Sequence, residues 1–248
     1  MISYRVIARL DIKGEHLVKP LMFEGLRVLG KPAEFAKRYA DEGADELLYL
    51  DIVASLYGRN QLENLIEETS REIFIPIIVA GGIRGNNCCA RILRCGADKI
   101  VFNTNAIRDP AVIARASSRF GSQAISVSIE AKRINGGWEA YTDCGRIPSG
   151  KDAIQWAQEA VALGAGEILI TSIDCDGVRR GAEFDLLHAI QACELSVPVV
   201  YSGGIRLQDV AEVAQYSDGM AIGASLHYGD CTIQQVKDAL RKAGKEVR

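Results

Sequence analysis

The sequence predicts an α/β protein: a (β/α)8 barrel with a two-fold repeat of half-barrels, expected as one domain over residues 1–248. Three observations point there. Short apolar runs alternate with amphipathic stretches, the pattern of parallel βαβ units. The stretch Val79-Ala80-Gly81-Gly82-Ile83-Arg84 is written again as Tyr201-Ser202-Gly203-Gly204-Ile205-Arg206, each copy behind a Pro-led apolar run. Other echoes keep the same register: Gly43-Ala44-Asp45-Glu46 with Gly164-Ala165-Gly166-Glu167, Asp11-Ile12-Lys13 with Glu130-Ala131-Lys132, and Asn103-Thr104 with Ala224-Ser225. Four strand–helix units written twice, about 120 residues apart, make eight and favour a closed barrel over an open sheet.

In chain order, strands are expected at Tyr4–Asp11, Glu46–Ile52, Pro76–Ala80, Asp98–Asn103, Ala124–Glu130, Glu167–Ile173, Val197–Ser202 and Gly219–Ala224. Amphipathic stretches between them include Pro32–Gly43, Asn60–Arg71, Pro110–Phe120, Lys151–Gly164 and Thr232–Gly244. Pro32 and Pro110 suit the first helical turn, and Gly43, Gly96 and Gly164 suit the C-terminal cap. Two insertions interrupt the pattern. Ile12–Lys31 is glycine-punctuated and without clear periodicity. Residues 133–150 contain Asn135-Gly136-Gly137, a hairpin-turn signal between Ile134 and Trp138-Glu139-Ala140-Tyr141. Long connections in compact domains are often lids, and both would sit at the C-terminal mouth of the barrel.

Composition narrows the function. The chain has 248 residues, 48% hydrophobic, and a net charge of −3 with both signs mixed. No basic run suits nucleic acid or an anionic membrane surface, and no apolar stretch reaches the length of a span. The start of the chain has no signal-peptide layout. Cysteines 88, 89, 95, 144, 175, 193 and 231 include no C-x-x-C pair, which suits reduced thiols in the cytoplasm. Three scattered histidines give no metal-ligand spacing, and neither a metal nor a cofactor is expected.

Asp11 and Glu130 end strands on opposite sides of the predicted barrel, so two carboxylates would face each other over the mouth. Such a pair serves as acid and base when its environment separates the two proton affinities. Gly81-Gly82 with Asn103-Thr104 would cradle one anion, and Ser202-Gly203-Gly204 with Ala224-Ser225 another. Two cradles imply a substrate with a phosphate at each end and its middle between the carboxylates. Asp174-Cys175-Asp176-Gly177 adds acids suited to substrate hydroxyls or loop shaping rather than to a metal. At the far end, Arg5, Glu46, Lys99 and Glu167 each start a strand and could form a neutral ion ring. Solvated strand-start charges explain that pattern equally well.

With these residues in view, the chain resembles the cyclase subunit family of imidazole glycerol phosphate synthase along essentially its whole length. The matching runs include Arg5-Val6-Ile7-Ala8, Leu10-Asp11-Ile12-Lys13, Leu17-Val18-Lys19, Gly96-Ala97-Asp98-Lys99, Arg119-Phe120-Gly121-Ser122-Gln123, Asp176-Gly177 and Ser202-Gly203-Gly204. The resemblance implies a cytoplasmic enzyme of histidine biosynthesis that takes ammonia from a glutaminase partner. It would convert a bisphosphorylated formimino-aminoimidazole carboxamide ribotide to imidazole glycerol phosphate and aminoimidazole carboxamide ribotide. It also implies Asp11 and Glu130 as the acid–base pair, Lys19 as a substrate contact, Arg5, Glu46, Lys99 and Glu167 as the ammonia gate, and Asp98 at the partner interface.

The chain departs from the family at several of these places. Glu130 stands where Asp is usual, Arg9 where a small residue is usual, and Tyr201, Pro20 and Ile205-Arg206 replace small residues. These leave open a paralogue in another pathway, such as amidino-sugar formation, or a barrel that only activates a glutaminase. Strand alternation places Arg9 inward with Arg5 and Asp11, so it should be buried and paired with Glu130 or Glu46. Tyr201, like Arg9, is expected to make the interior bulkier.

Overall fold

A computed structural model describes residues 3–54 and 62–248. The first residues of the helical stretch expected at Asn60–Arg71 lie outside them; the helix runs Glu63–Glu72. Eight strands form a closed parallel barrel in the order β10 (Glu167–Ser172), β11 (Val199–Ser202), β12 (Gly219–Ile222), β1 (Arg5–Lys13), β4 (Glu46–Asp51), β5 (Ile77–Ala80), β6 (Lys99–Phe102) and β7 (Ile125–Ile134). The pairing of β7 with β10, from Glu167 opposite Ser126 to Ser172 opposite Ala131, closes it.

Alternation along each strand divides the core in two. Ile7, Leu48, Ile78, Val101, Leu169 and Val200 form a buried cluster inside the barrel. Val6, Ala8, Leu10, Tyr49 and Trp156 belong to the larger cluster between strands and helices. Tyr201 belongs to that outer cluster too. The expectation that it fills the barrel interior is therefore corrected: its neighbours Val200 and Ser202 point inward, so Tyr201 points out, and its hydroxyl accepts the Glu183 N–H at 2.8 Å.

Both insertions are antiparallel hairpins that continue a barrel strand. β1 runs on into β2 (His16–Leu21) and β3 (Glu24–Gly30), with Asp11 opposite Val18. The region expected to lack periodicity is thus two strands, joined at Met22 (φ 48°) and Phe23 (φ 62°). β7 runs on into β8 (Gly137–Thr142) and β9 (Ile147–Asp152), turning at Asn135–Gly136 as the sequence signals, with Glu130 opposite Tyr141.

A repeated clamp sets the strand starts. The Val6, Ile77 and Val199 N–H groups donate to the carboxylates of Asp45, Asp98 and Asp218 at 2.8, 2.8 and 2.9 Å. Each Asp precedes an even-numbered barrel strand and holds the strand before it. In the echo of Asp45, Gly166 stands instead, and its own N–H donates to Ile125 O at 2.9 Å. A Cβ there would lie 2.2 Å from Ser122 O, so Gly166→Ala is expected to destabilise the protein by about 1–3 kcal/mol in urea unfolding.

Candidate active site

At the mouth, Asp11, Lys19, Glu130 and Asp176 are all buried, with exposures of 0, 3, 3 and 3%. β1 and its hairpin carry three members of one charged cluster. Lys19 Nζ donates to Asp11 Oδ2 at 2.7 Å and to Asp176 Oδ2 at 3.1 Å. Arg9 Nε donates to Asp11 Oδ1 at 2.8 Å, while its Nη1 donates to Asp176 Oδ1 at 3.2 Å and Ser202 Oγ at 3.1 Å. Two cations and two carboxylates balance, which is how four charges can be buried together.

Arg9 is inward and 2% exposed, as alternation requires. Its expected partners, Glu130 or Glu46, are corrected to Asp11 and Asp176. Asp11 lies two residues along the same face of β1, and Glu46 is held at the strand-start end by Arg5 and Lys99.

The two mouth carboxylates differ in proton affinity. Burial alone would raise the Asp11 carboxyl, but Arg9 and Lys19 outweigh it and hold its pKa down to about 2. Glu130 has no comparable ion pair. Burial pushes it up to about 7, with the Gly145 N–H at 2.7 Å and the field of Arg9 pulling the other way. Asp11 therefore stays ionised, while Glu130 exchanges protons near neutrality.

Two clefts flank these carboxylates. The first, a cavity of about 120 Å³, is bordered by Gly81–Gly82 and Asn103–Thr104, with Ser128 and Glu130 on its inner wall. The second, only about 10 Å³, brings together Asp176–Gly177, Ser202–Gly203–Gly204 and Ala224–Ser225. The sequence-predicted cradle residues thus converge as two groups. The glycines have a further role that the sequence did not expose. A Cβ on Gly81 would lie 2.2 Å from Asp51 O, and one on Gly204 2.3 Å from Gly181 O, so neighbouring loop backbone already packs against them. Ser225 Oγ donates to Ile205 O, and Thr104 Oγ1 accepts the Asp143 N–H at 2.9 Å. Arg206 points away from the second cleft to pair with Asp209 at 2.8 Å.

At the opposite end, Arg5, Glu46, Lys99 and Glu167 do form a ring. Arg5 reaches both glutamates, and Lys99 reaches Glu46 at 3.0 Å and Glu167 at 3.4 Å. Ser126 Oγ adds a hydrogen bond to Glu167 at 3.1 Å. Asp98 is exposed beside this ring, with one carboxylate oxygen taken by the Ile77 N–H. Among the described residues, no group of three or more His, Cys, Asp or Glu could hold a metal ion.

Sequence reasoning missed the Gly145 contact to Glu130, because a backbone donor arriving from a distant turn leaves no side-chain signature.

A closed eight-stranded parallel barrel with helices between its strands and a buried polar cluster at its C-terminal mouth is the architecture of a (β/α)8 barrel enzyme. The family model described as "Histidine biosynthesis protein" matches residues 5–232, and the chain belongs to that family. It is 50% identical to the imidazole glycerol phosphate synthase subunit HisF of Legionella pneumophila over 83% of this chain and 97% of that protein. The HisF subunits of Myxococcus xanthus and Campylobacter concisus are 43% and 42% identical, covering 100% and 98% of this chain and 99% and 97% of theirs.

Proposed function

We propose that this chain is the cyclase subunit of an imidazole glycerol phosphate synthase. It would use ammonia released by a glutaminase partner to cleave and cyclise a bisphosphorylated formimino-aminoimidazole carboxamide ribotide. The products would be imidazole glycerol phosphate and aminoimidazole carboxamide ribotide. The observation that carries this reading is the pair Asp11 and Glu130, oppositely poised between two glycine-turn clefts. Asp11, always ionised, suits stabilising positive charge on an incoming nitrogen. Glu130 can give a proton to the leaving nitrogen and regain one. Lys19 and Asp176 would orient the substrate, and the clefts would hold its terminal phosphates.

The ion ring supports entry of ammonia at the far end, with Asp98 on the docking face. Its replacement gives a direct test. Lys99→Met leaves two glutamates on Arg5 alone. It is expected to lower the ratio of glutamine-driven to ammonium-driven turnover about tenfold, the equivalent of about 1.4 kcal/mol. An unchanged ratio in the assembled complex would remove the gate from the proposal. We place the enzyme in the cytoplasm, which suits its seven unpaired thiols; no helix among the described residues is long and apolar enough to cross a membrane.

The decisive assay is steady-state turnover of the formimino ribotide with an ammonium salt. Formation of both products is expected, and their absence would sink the reading. Arg9 favours one second reading, a related ammonia-dependent reaction on another substrate, because its guanidinium occupies the Asp11–Asp176 gap. Under that reading the ribotide is not turned over, and Glu130→Asp gains activity on it.

A further inference from the structure

The turn between β8 and β9 folds inward over the mouth. Two consecutive non-glycine residues there, Asp143 (φ 53°) and Cys144 (φ 56°), are left-handed. Side chains adopt that conformation only where the surroundings impose it. Three of the contacts that hold this turn lead to the first cleft. The Asp143 N–H donates to Thr104 Oγ1, and Arg108 Nη2 donates to Asp143 Oδ2 at 2.9 Å. One step further along the turn, the Gly145 N–H donates to Glu130 Oε2 at 2.7 Å. The Asp143 side chain is 4% exposed and its partner Arg108 62%.

Arg108 and Arg84 both border the cavity of about 120 Å³. Arg84 is exposed and forms no ion pair among the described residues; its carbonyl accepts from Asn105 Nδ2 at 2.8 Å. In the same wall, the buried Asn103 amide faces Glu130 and favours its ionised form. The wall therefore offers two guanidinium groups beside the Gly-Gly turn, with one carboxylate of the chain itself in place.

We propose that Arg84 and Arg108 bind a phosphate monoester in the first cleft, and that Asp143 is an internal stand-in which the phosphate displaces from Arg108. A phosphate has nearly twice the charge of a carboxylate and three strong acceptors, so it wins a competition for guanidinium donors. Asp143 and Gly145 share one short turn. Displacing the first withdraws the Gly145 N–H from Glu130, so the acid–base carboxylate is released only once a phosphate is seated. This deepens the proposed function; it rests on the first cleft being a phosphate site, not on which ribotide is turned over.

The test uses the full chain and inorganic phosphate, with affinity from calorimetry and site assignment from backbone amide NMR. Arg84→Gln and Arg108→Gln should each weaken phosphate binding at the first cleft by about 10- to 100-fold, the range for a charge-assisted hydrogen bond. Asp143→Asn, which keeps the shape and removes the rival anion, should tighten it by about tenfold. The Gly145 amide signal should move upfield as phosphate saturates, and in Asp143→Asn should start near that end point. Unchanged affinity in both arginine variants, no tightening in Asp143→Asn, or phosphate shifts confined to Gly203–Ser225 would each overturn the proposal. If these results hold but the formimino ribotide is not turned over, the phosphate site stands and the assigned reaction falls.

Discussion

Glu130→Gln is expected to lower turnover of the formimino ribotide with ammonium by about 10²- to 10⁴-fold, the usual loss when a positioned proton-transfer group is removed. Binding of the substrate should change far less, so the effect belongs in kcat. The same substitution has a stability signature of definite sign. Glu130 is raised from 4.5 to about 7, so the folded protein holds its proton more tightly than the unfolded chain does. The ionised form is the disfavoured one, and stability falls as pH rises from about 4.5 to 7. Gln cannot ionise and escapes that loss. Urea unfolding should therefore show Glu130→Gln gaining on the wild type across this window, by about 3 kcal/mol at most. A constant difference from pH 4 to 8 would mean that Glu130 titrates normally and is no proton-transfer group.

Arg9→Met should be the most destabilising change in the mouth, by about 3–5 kcal/mol, because it strands buried carboxylate charge. Lys19 still touches both Asp11 and Asp176, which places the expectation toward the lower end. Asp11 behaves oppositely to Glu130. Its lowered carboxyl stabilises the fold above about 3.8, a contribution lost as pH falls toward 2. Arg9→Met should move that acid limb to higher pH as well as lowering the plateau. A loss under 1 kcal/mol with an unmoved acid limb would show that Arg9 is a bystander, and would restore the expectation of a small residue at this position.

Much of the barrel was readable because it is periodic and doubled. Strand starts at Glu46, Glu167 and Gly219 fall where they were expected, and the Asn135–Gly136 turn announces its hairpin. The first hairpin was unreadable for a definite reason. Its first turn carries a left-handed glycine, Gly14, but its second turns on Met22 and Phe23, both left-handed, residues that ordinarily avoid that region, so the sequence holds no signal there. For the site, alternation along β1 correctly sent Arg9 inward but could not choose among carboxylates on other strands. Asp176 reaches Arg9 from the loop after β10, a proximity that only barrel closure creates. Tyr201 was misassigned for want of a parity count from Ser202.

The two hairpins place the mouth carboxylates in an uncommon mechanical setting. Asp11 and Glu130 sit part-way along continuous beams, each clamped in the barrel at one end and projecting as a paired arm at the other. The inner turns of the two insertions, one carrying Phe23 between β2 and β3 and the other Gly145 between β8 and β9, meet over the mouth, where a Cβ on Gly145 would stand 3.1 Å from the Phe23 ring. Because the Gly145 N–H also holds Glu130 at 2.7 Å, parting these turns would open the mouth and change the surroundings of its carboxylate in a single motion.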